Sequence, residues 1–161
     1  MLTKIEKKSI KAGKRVNTAH VDNVIKNYKQ ERWVHNSKRL GKEDSLSVWY
    51  SVEELQEFME LIKIHGGDGV RLYFGAYDKD YANEPLYAGR QTIVFVATKF
   101  KETENGGTNK DLYTNTESGN NILAYNAGNM CPPKCVEIGE DGGFGIGITI
   151  LDKGEEGLAI G

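Results

Sequence analysis

No apolar run in this chain approaches the roughly 18 residues that a bilayer-crossing helix needs, so no membrane role is expected of it. Cysteine is nearly absent. Its two residues, Cys131 and Cys135, are compatible with a reducing compartment. The N-terminal MLTKIEKKSIKAGKRV is basic but has no continuous apolar segment, which argues against a secretory signal. Cytoplasmic residence is therefore the expectation. Catalytic signatures are missing too: the chain has no G-x-S-x-G, no H-E-x-x-H and no Walker lysine motif.

What is present suits a soluble globular protein: 161 residues, 39% hydrophobic and 27% charged. Such a length fits one domain whose folding buries about 70% of the unfolded chain's surface. The net charge of −2 hides an asymmetry, since residues 1–42 hold 12 Lys/Arg against 3 Asp/Glu and the remainder is acidic. A basic arm of this kind can meet nucleic acid or an acidic membrane surface. Whole-domain basicity, the usual footprint of nucleic-acid binding, is absent, so packing of this segment on its own acidic domain, or a solvated helix face, is the preferred reading.

Residues 1–16 are polar and expected to be loosely ordered. A helix is predicted from an N-cap at Thr18 to about Trp33, with Val21, Val24, Ile25 and Tyr28 on one face and Lys26, Lys29 and Gln30 facing away. Residues 36–45 read as a polar connection centred on Gly41, and 46–50 as a short strand. Ser51 and Glu54 have the spacing of a capping box. Leu55, Phe58, Met59 and Ile62 then form an apolar stripe, and Gly66 and Gly67 a helix stop.

The stretch from Gly66 to Thr98 is the most patterned part of the chain. Val70, Leu72, Phe74 and Ala76 alternate with Arg71, Tyr73, Gly75 and Tyr77, which predicts a strand with two distinct faces. Ile93 to Thr98 is apolar on both faces and reads as a central strand. Between them runs a 13-residue loop, Asp78 to Arg90, longer than a hairpin needs. Strand, helix, strand, strand predicts an α+β fold: N-terminal helices on a mainly antiparallel sheet, in a single domain. The 46–50 and 70–77 strands could pair in parallel through a right-handed crossover. Beyond Phe100 the pattern weakens, with short strands expected near 112–113 and 122–125. The division expected is a basic segment 1–16, an α+β domain 17–140 and a glycine-rich strand or tail 141–161.

GGDGVRLYFGAY, YAGRQTIVFVAT and YNAGNMCPPKC, with VWYSVEELQEFM before them, carry a resemblance. Over residues 46–100 and 125–135 the chain resembles a family of small uncharacterised Bacteroidota proteins. That family has a helical N-terminal part, D-G-[IV]-R-x-Y-F-G-x-Y and Y-A-G-[RK]-x-T-x-V-F-V strands, and a C-P-P-x-C motif. The resemblance implies no activity, cofactor or catalytic residue. Chains of that family often end near C-P-P-x-C, whereas this one continues 26 residues past Cys135.

Cys131-Pro-Pro-Lys-Cys135 is the sharpest local motif. Its thiols suit half of a zinc site, with only His20, His35, His65 and carboxylates to complete it. A disulfide needs Cα atoms within about 7 Å, which a turn with Pro133 at its second position would allow. Incidental thiols are the third reading. His65-Gly-Gly-Asp-Gly69 follows a helix and leads into a strand, the wrong polarity for a phosphate loop, so it reads as a turn fixed by Asp68. Asp78 to Glu84 is rich in oxygen ligands but fails the EF-hand spacing at Asn83 and Gly89. Gly143, Gly145 and Gly147 lack the following helix of a dinucleotide fingerprint.

Arg71, Tyr73 and Tyr77 on one strand face, with Tyr81, Tyr87 and Arg90 in the loop, form the candidate binding surface. Arginine and tyrosine each pair a flat contact area with a polar handle. Their competing role is structural, since tyrosine also favours strands. The function expected is non-catalytic binding or assembly, with an unknown protein or small molecule as partner and self-association through the C-terminal strand as a further option. No cofactor is expected unless zinc binds Cys131 and Cys135. Two alternatives stand: a metal- or thiol-dependent protein using that pair, and nucleic-acid binding through residues 1–42.

Overall fold

A computed structural model describes residues 9–135, 150–152 and 154–160. Its architecture is α+β, as the order of elements predicts. The helices are α1 (Thr18–Tyr28), α2 (Val34–Leu40) and α3 (Val52–Ile64). The strands are β1 (Ser47–Trp49), β2 (Gly69–Ala76), β3 (Gln91–Lys101), β4 (Thr108–Asp111), β5 (Tyr113–Thr116), β6 (Gly119–Ile122), β7 (Ala124–Tyr125), β8 (Asn129–Cys131), β9 (Ile150–Asp152) and β10 (Leu158–Ile160). Among the described residues no helix is long and apolar enough to cross a membrane. The chain divides into two compact units with interleaved segments: 1–12, 50–75 and 93–128 in one, 13–49, 76–92 and 129–161 in the other.

The first unit is built on β3. This strand is central, as its two apolar faces predict: β2 lies on one edge, with β4 and β7 on the other. The β4 and β7 pairings are antiparallel. Helix α3 packs on this sheet through Phe58 and Ile62, which form a core with Ala97 and with the partly buried Val70, Phe95, Leu112, Leu123 and Tyr125. The capping box at its start is complete. Ser51 Oγ accepts the Glu54 N–H at 3.1 Å, and Glu54 Oε2 accepts the Ser51 N–H at 2.7 Å. At its end Gly66 adopts φ 79°, a left-handed conformation that glycine enters without steric cost. Asp68 then ties the turn to the sheet, its Oδ1 accepting the Phe100 N–H at 3.1 Å.

The helices of the second unit depart from the sequence reading in three places. The first helix is capped by Asn17 rather than Thr18. It continues past Trp33 through a π-helical turn (Lys29–Trp33) into α2, ending at Gly41 with φ 71°. The expected polar connection therefore shrinks to its second half. The inward face is also different: Val21 and Val24 are exposed, and Lys29 is fully buried. Polar anchors set this orientation. The Tyr28 hydroxyl donates to Gln91 Oε1 at 2.6 Å, and Trp33 Nε1 donates to the Asp44 carbonyl at 2.8 Å. The π turn adds one residue to the spacing between those rings, and a 3.6-residue pattern does not anticipate that.

Strand β1 exists where predicted but has a different partner. It pairs antiparallel with β8, Val48 opposite the fully buried Met130, and not with β2. Val48 and Met130 thereby form an apolar cross-strand pair, the kind of contact that stabilises a sheet. Residues 9–17 carry neither helix nor strand. The glycine-rich strand or tail expected over 141–161 lies, up to residue 149, outside the described residues. Beyond that residue, β9 and β10 pair with one another, and Gly157 lies against α1, where a Cβ would sit 2.8 Å from Asp22 Oδ1.

Candidate binding loop and the disulfide turn

Residues 78–90 form a compact loop whose ends meet. The Tyr77 N–H donates to the Arg90 carbonyl at 3.0 Å, and the Gly89 N–H to the Asp78 carbonyl at 3.0 Å. Pro85 starts a 3₁₀ turn, Pro85–Tyr87, with its φ preset for that geometry. Loops of this kind, closed at the neck and packed by their own side chains, are frequently functional.

Two of the sequence-selected residues in the loop are interior. Tyr87 and Arg90 are both buried. Arg90 Nε donates to the Glu43 carbonyl at 2.7 Å, and its guanidinium also donates to the Leu86 carbonyl. Tyr87 Oη accepts the Met130 N–H at 3.3 Å. These residues hold the loop, whereas Tyr77 and Tyr81 are only half-buried. The Tyr77 ring lies 4.5 Å from that of Tyr81 and 5.7 Å from that of Tyr87, so the three rings form one aromatic run.

The cysteine motif adjoins this loop. Cys131 and Cys135 form a disulfide with Cα atoms 4.5 Å apart, the second of the three readings open to the motif. Between them, Lys134 turns back onto the loop. Its ammonium lies 2.8 Å from Glu84 Oε2 and 5.0 Å from the centre of the Tyr87 ring. The bond with Glu84 is the main cause holding the Lys134 ammonium above the ordinary lysine range. While bonded to each other the sulfurs are not thiolate ligands. Among the described residues no group of three or more His, Cys, Asp or Glu could hold a metal ion.

Arg71 and Tyr73 belong to the other unit, where both reach Asp111. Arg71 contacts Asp111 Oδ1 at 2.5 Å, and the Tyr73 hydroxyl donates to Oδ2 at 2.6 Å. The nearby Tyr73 hydroxyl is the first cause raising the Arg71 guanidinium above its usual range, with Asp111 adding to it. The two thus share one strand face, as alternation predicts.

Sequence reasoning overlooked three participants. Glu84 and Lys134 carry opposite charges 50 positions apart, and no local pattern pairs them. Asp44 lies in the supposed connection yet is almost fully buried. Its Oδ1 accepts the Ser45 N–H at 2.9 Å and the Gln91 N–H at 2.7 Å. The available signal was Asp-Ser after a helix, a pair that favours side-chain capping of the local backbone. Comparison with protein-family models, curated proteins and solved structures gave no match for this chain.

Proposed function

We propose that this chain is a non-catalytic binding or assembly protein that recognises its partner through the 78–90 loop. The observation that carries the reading is the locking of this loop by Lys134 against Glu84 and Tyr87. A loop held in one conformation before binding loses less entropy when it binds, which is how preorganised surfaces gain affinity. Tyr77 and Tyr81 supply the contact, and Tyr87 and Arg90 supply the support. Arg71 and Tyr73 are engaged by Asp111 and are not required by this reading. The resemblance to the small Bacteroidota proteins belongs to the same proposal and adds no ligand to it.

A photo-crosslinking residue at position 81 tests the proposal in the protein's own host. One discrete adduct is expected from position 81 and none from position 10, which is exposed but distant in sequence. Equal labelling at both positions, or none at 81, overturns it.

The disulfide supports a second reading, a thiol-dependent role for Cys131 and Cys135. Cytoplasmic residence is part of our proposal, and in that compartment thiols are kept reduced unless a redox function cycles them. Thiol trapping of the protein as it leaves the cell separates the two. A fixed, fully oxidised pair argues for structure, and a mixture that responds to oxidant argues for redox use. Zinc on the reduced pair would appear in elemental analysis of protein purified under reducing conditions.

A further inference from the structure

Strand β2 is an edge. It pairs with β3 on one side, and among the described residues no strand pairs with its other side. An open edge presents a row of N–H and C=O groups that template another strand. Natural edges are protected by short length, proline, bulges or several charges. β2 has eight residues, no proline and one charged residue, Arg71, which is occupied by Asp111 of its own chain.

Two large apolar side chains of this edge are exposed. Leu72 is 50% exposed and Phe74 83% exposed. By strand alternation they share a face with Val70, which packs against the α3 core. On α3 itself, Leu61 and Ile64 are also exposed. The apolar face that α3 covers at Val70 thus runs on uncovered along the open edge.

We propose that β2 is a self-association interface, pairing antiparallel with β2 of a second copy about a two-fold axis at Tyr73. A two-fold contact requires a surface complementary to itself, and this stretch has that property. With Tyr73 opposite Tyr73, Leu72 of each copy faces Phe74 of the other, so both exposed apolar residues are consumed in two identical cross-strand pairs. Arg71 falls opposite Gly75, so the one charge on the edge does not face its own copy, and the glycine leaves the guanidinium room to stay on Asp111. Moving the axis to Leu72 would set Phe74 against Val70, which its own core already covers. The pairing joins two sheets into one, in the order β4-β3-β2-β2-β3-β4. It involves neither the 78–90 loop nor the C-terminal strands, and stands independently of the binding proposal.

Sedimentation of the full chain across a hundredfold concentration range tests this. The mass is expected to rise towards two chains, and Phe74→Lys is expected to weaken the dimer by about tenfold or more. Because Phe74 is so exposed, that variant should keep its far-ultraviolet circular dichroism. If it does not, Tyr73→Cys decides. Residues directly opposite in an antiparallel pair have Cα atoms about 4.5–5.5 Å apart, within disulfide reach. Mild oxidation should yield a peptide pair joined through the two introduced thiols at position 73, and no linked peptide from Ile10→Cys. A monomer at every concentration, a Phe74→Lys dimer as tight as the parent, or linkage at position 10 but not 73 overturns the proposal.

Discussion

The Tyr125 hydroxyl donates to Glu54 Oε1 at 2.9 Å while the second oxygen of that carboxylate caps the start of α3. One side chain thus fixes both the helix origin and the β7 ring on which Phe58 stacks, with ring centres 5.3 Å apart. The Ser51 backbone N–H, then the Ser51 and Tyr125 hydroxyls, hold the Glu54 carboxyl below the ordinary glutamate range. A depressed carboxyl stabilises the fold fully above its unfolded-state pKa, about 4.3, and loses that contribution as pH falls through the lower folded value. Glu54→Gln should therefore flatten the acid limb of stability against pH, measured as urea midpoints below about pH 5. Ser51→Ala removes the cap itself and should cost about 1 kcal/mol at neutral pH.

Gly67 is the position where the α3-to-β2 turn tolerates no side chain. A Cβ there would lie 2.5 Å from Ile62 Cγ2 and 3.1 Å from the Thr98 carbonyl oxygen. Neither can retreat freely, since Ile62 is core and Thr98 is backbone of β3. Gly67→Ala should destabilise by about 1–3 kcal/mol, the range for overpacking. Gly13→Ala, where nothing lies within 4 Å, is the control and should leave the denaturation midpoint unchanged.

The parts that sequence revealed are those set by local chemistry. Ser51 and Glu54 form a cap because both partners lie within one turn, and Gly66 stops the helix by its own conformation. The alternation in β2 was legible for the same reason. Burial was legible only in part, as for Phe58 and Ile62, because it depends on what arrives from elsewhere. Leu72 and Phe74 have a core pattern, yet α3 covers only Val70 of that row. Lys29 reads as a surface lysine, yet the hydrogen bonds of Tyr28 and Trp33 turn it inward. At the candidate site, the loop was visible from its length, whereas its lock needed Glu84 and Lys134 to be brought together by the fold. Tyr87 and Arg90 were selected for chemistry suited to recognition, and the same flat, polar-tipped chemistry suits a buried support.

Tyr87 reports whether the loop depends on the strand carrying Cys131. Its hydroxyl is the acceptor for the Met130 N–H, and Met130 is fully buried. Tyr87→Phe keeps the ring but removes that acceptor, at an expected cost of about 1–3 kcal/mol. Tyr87→Ala also empties the ring's place and should cost about 3–5 kcal/mol. Lys134→Ala should change the denaturation midpoint less than either, since its contact with Glu84 is partly exposed and screened by solvent. Hydrogen exchange at 78–90 is the direct measurement. Faster exchange in Lys134→Ala with little loss of global stability would show the lock acting locally, whereas unchanged exchange would show that Lys134 does not hold the loop.

Asp44 joins the end of the helical segment to the start of β3. It accepts from Ser45 and Gln91, and its own N–H donates to Ser37 Oγ at 2.9 Å. Asp44→Ala leaves the buried Ser45 N–H and the half-buried Gln91 N–H without their acceptor and should cost about 2–4 kcal/mol, whereas Asp44→Asn keeps an oxygen in place and should cost less. The same carboxylate acts on Tyr28. Burial, and then the negative charge of Asp44, raise the Tyr28 pKa above the ordinary tyrosine value, while hydrogen bonds with Asn36 and Gln91 oppose the rise. A raised pKa means that the folded state keeps its phenol proton longer than the unfolded chain does. Stability is therefore intact below the unfolded value, about 10, and falls as pH climbs through the folded one. Tyr28→Phe should flatten that alkaline decline. Asp44→Asn should lower the alkaline midpoint of Tyr28, read as the tyrosinate absorbance that Tyr28→Phe removes. An unmoved midpoint would mean that the charge of Asp44 does not reach Tyr28.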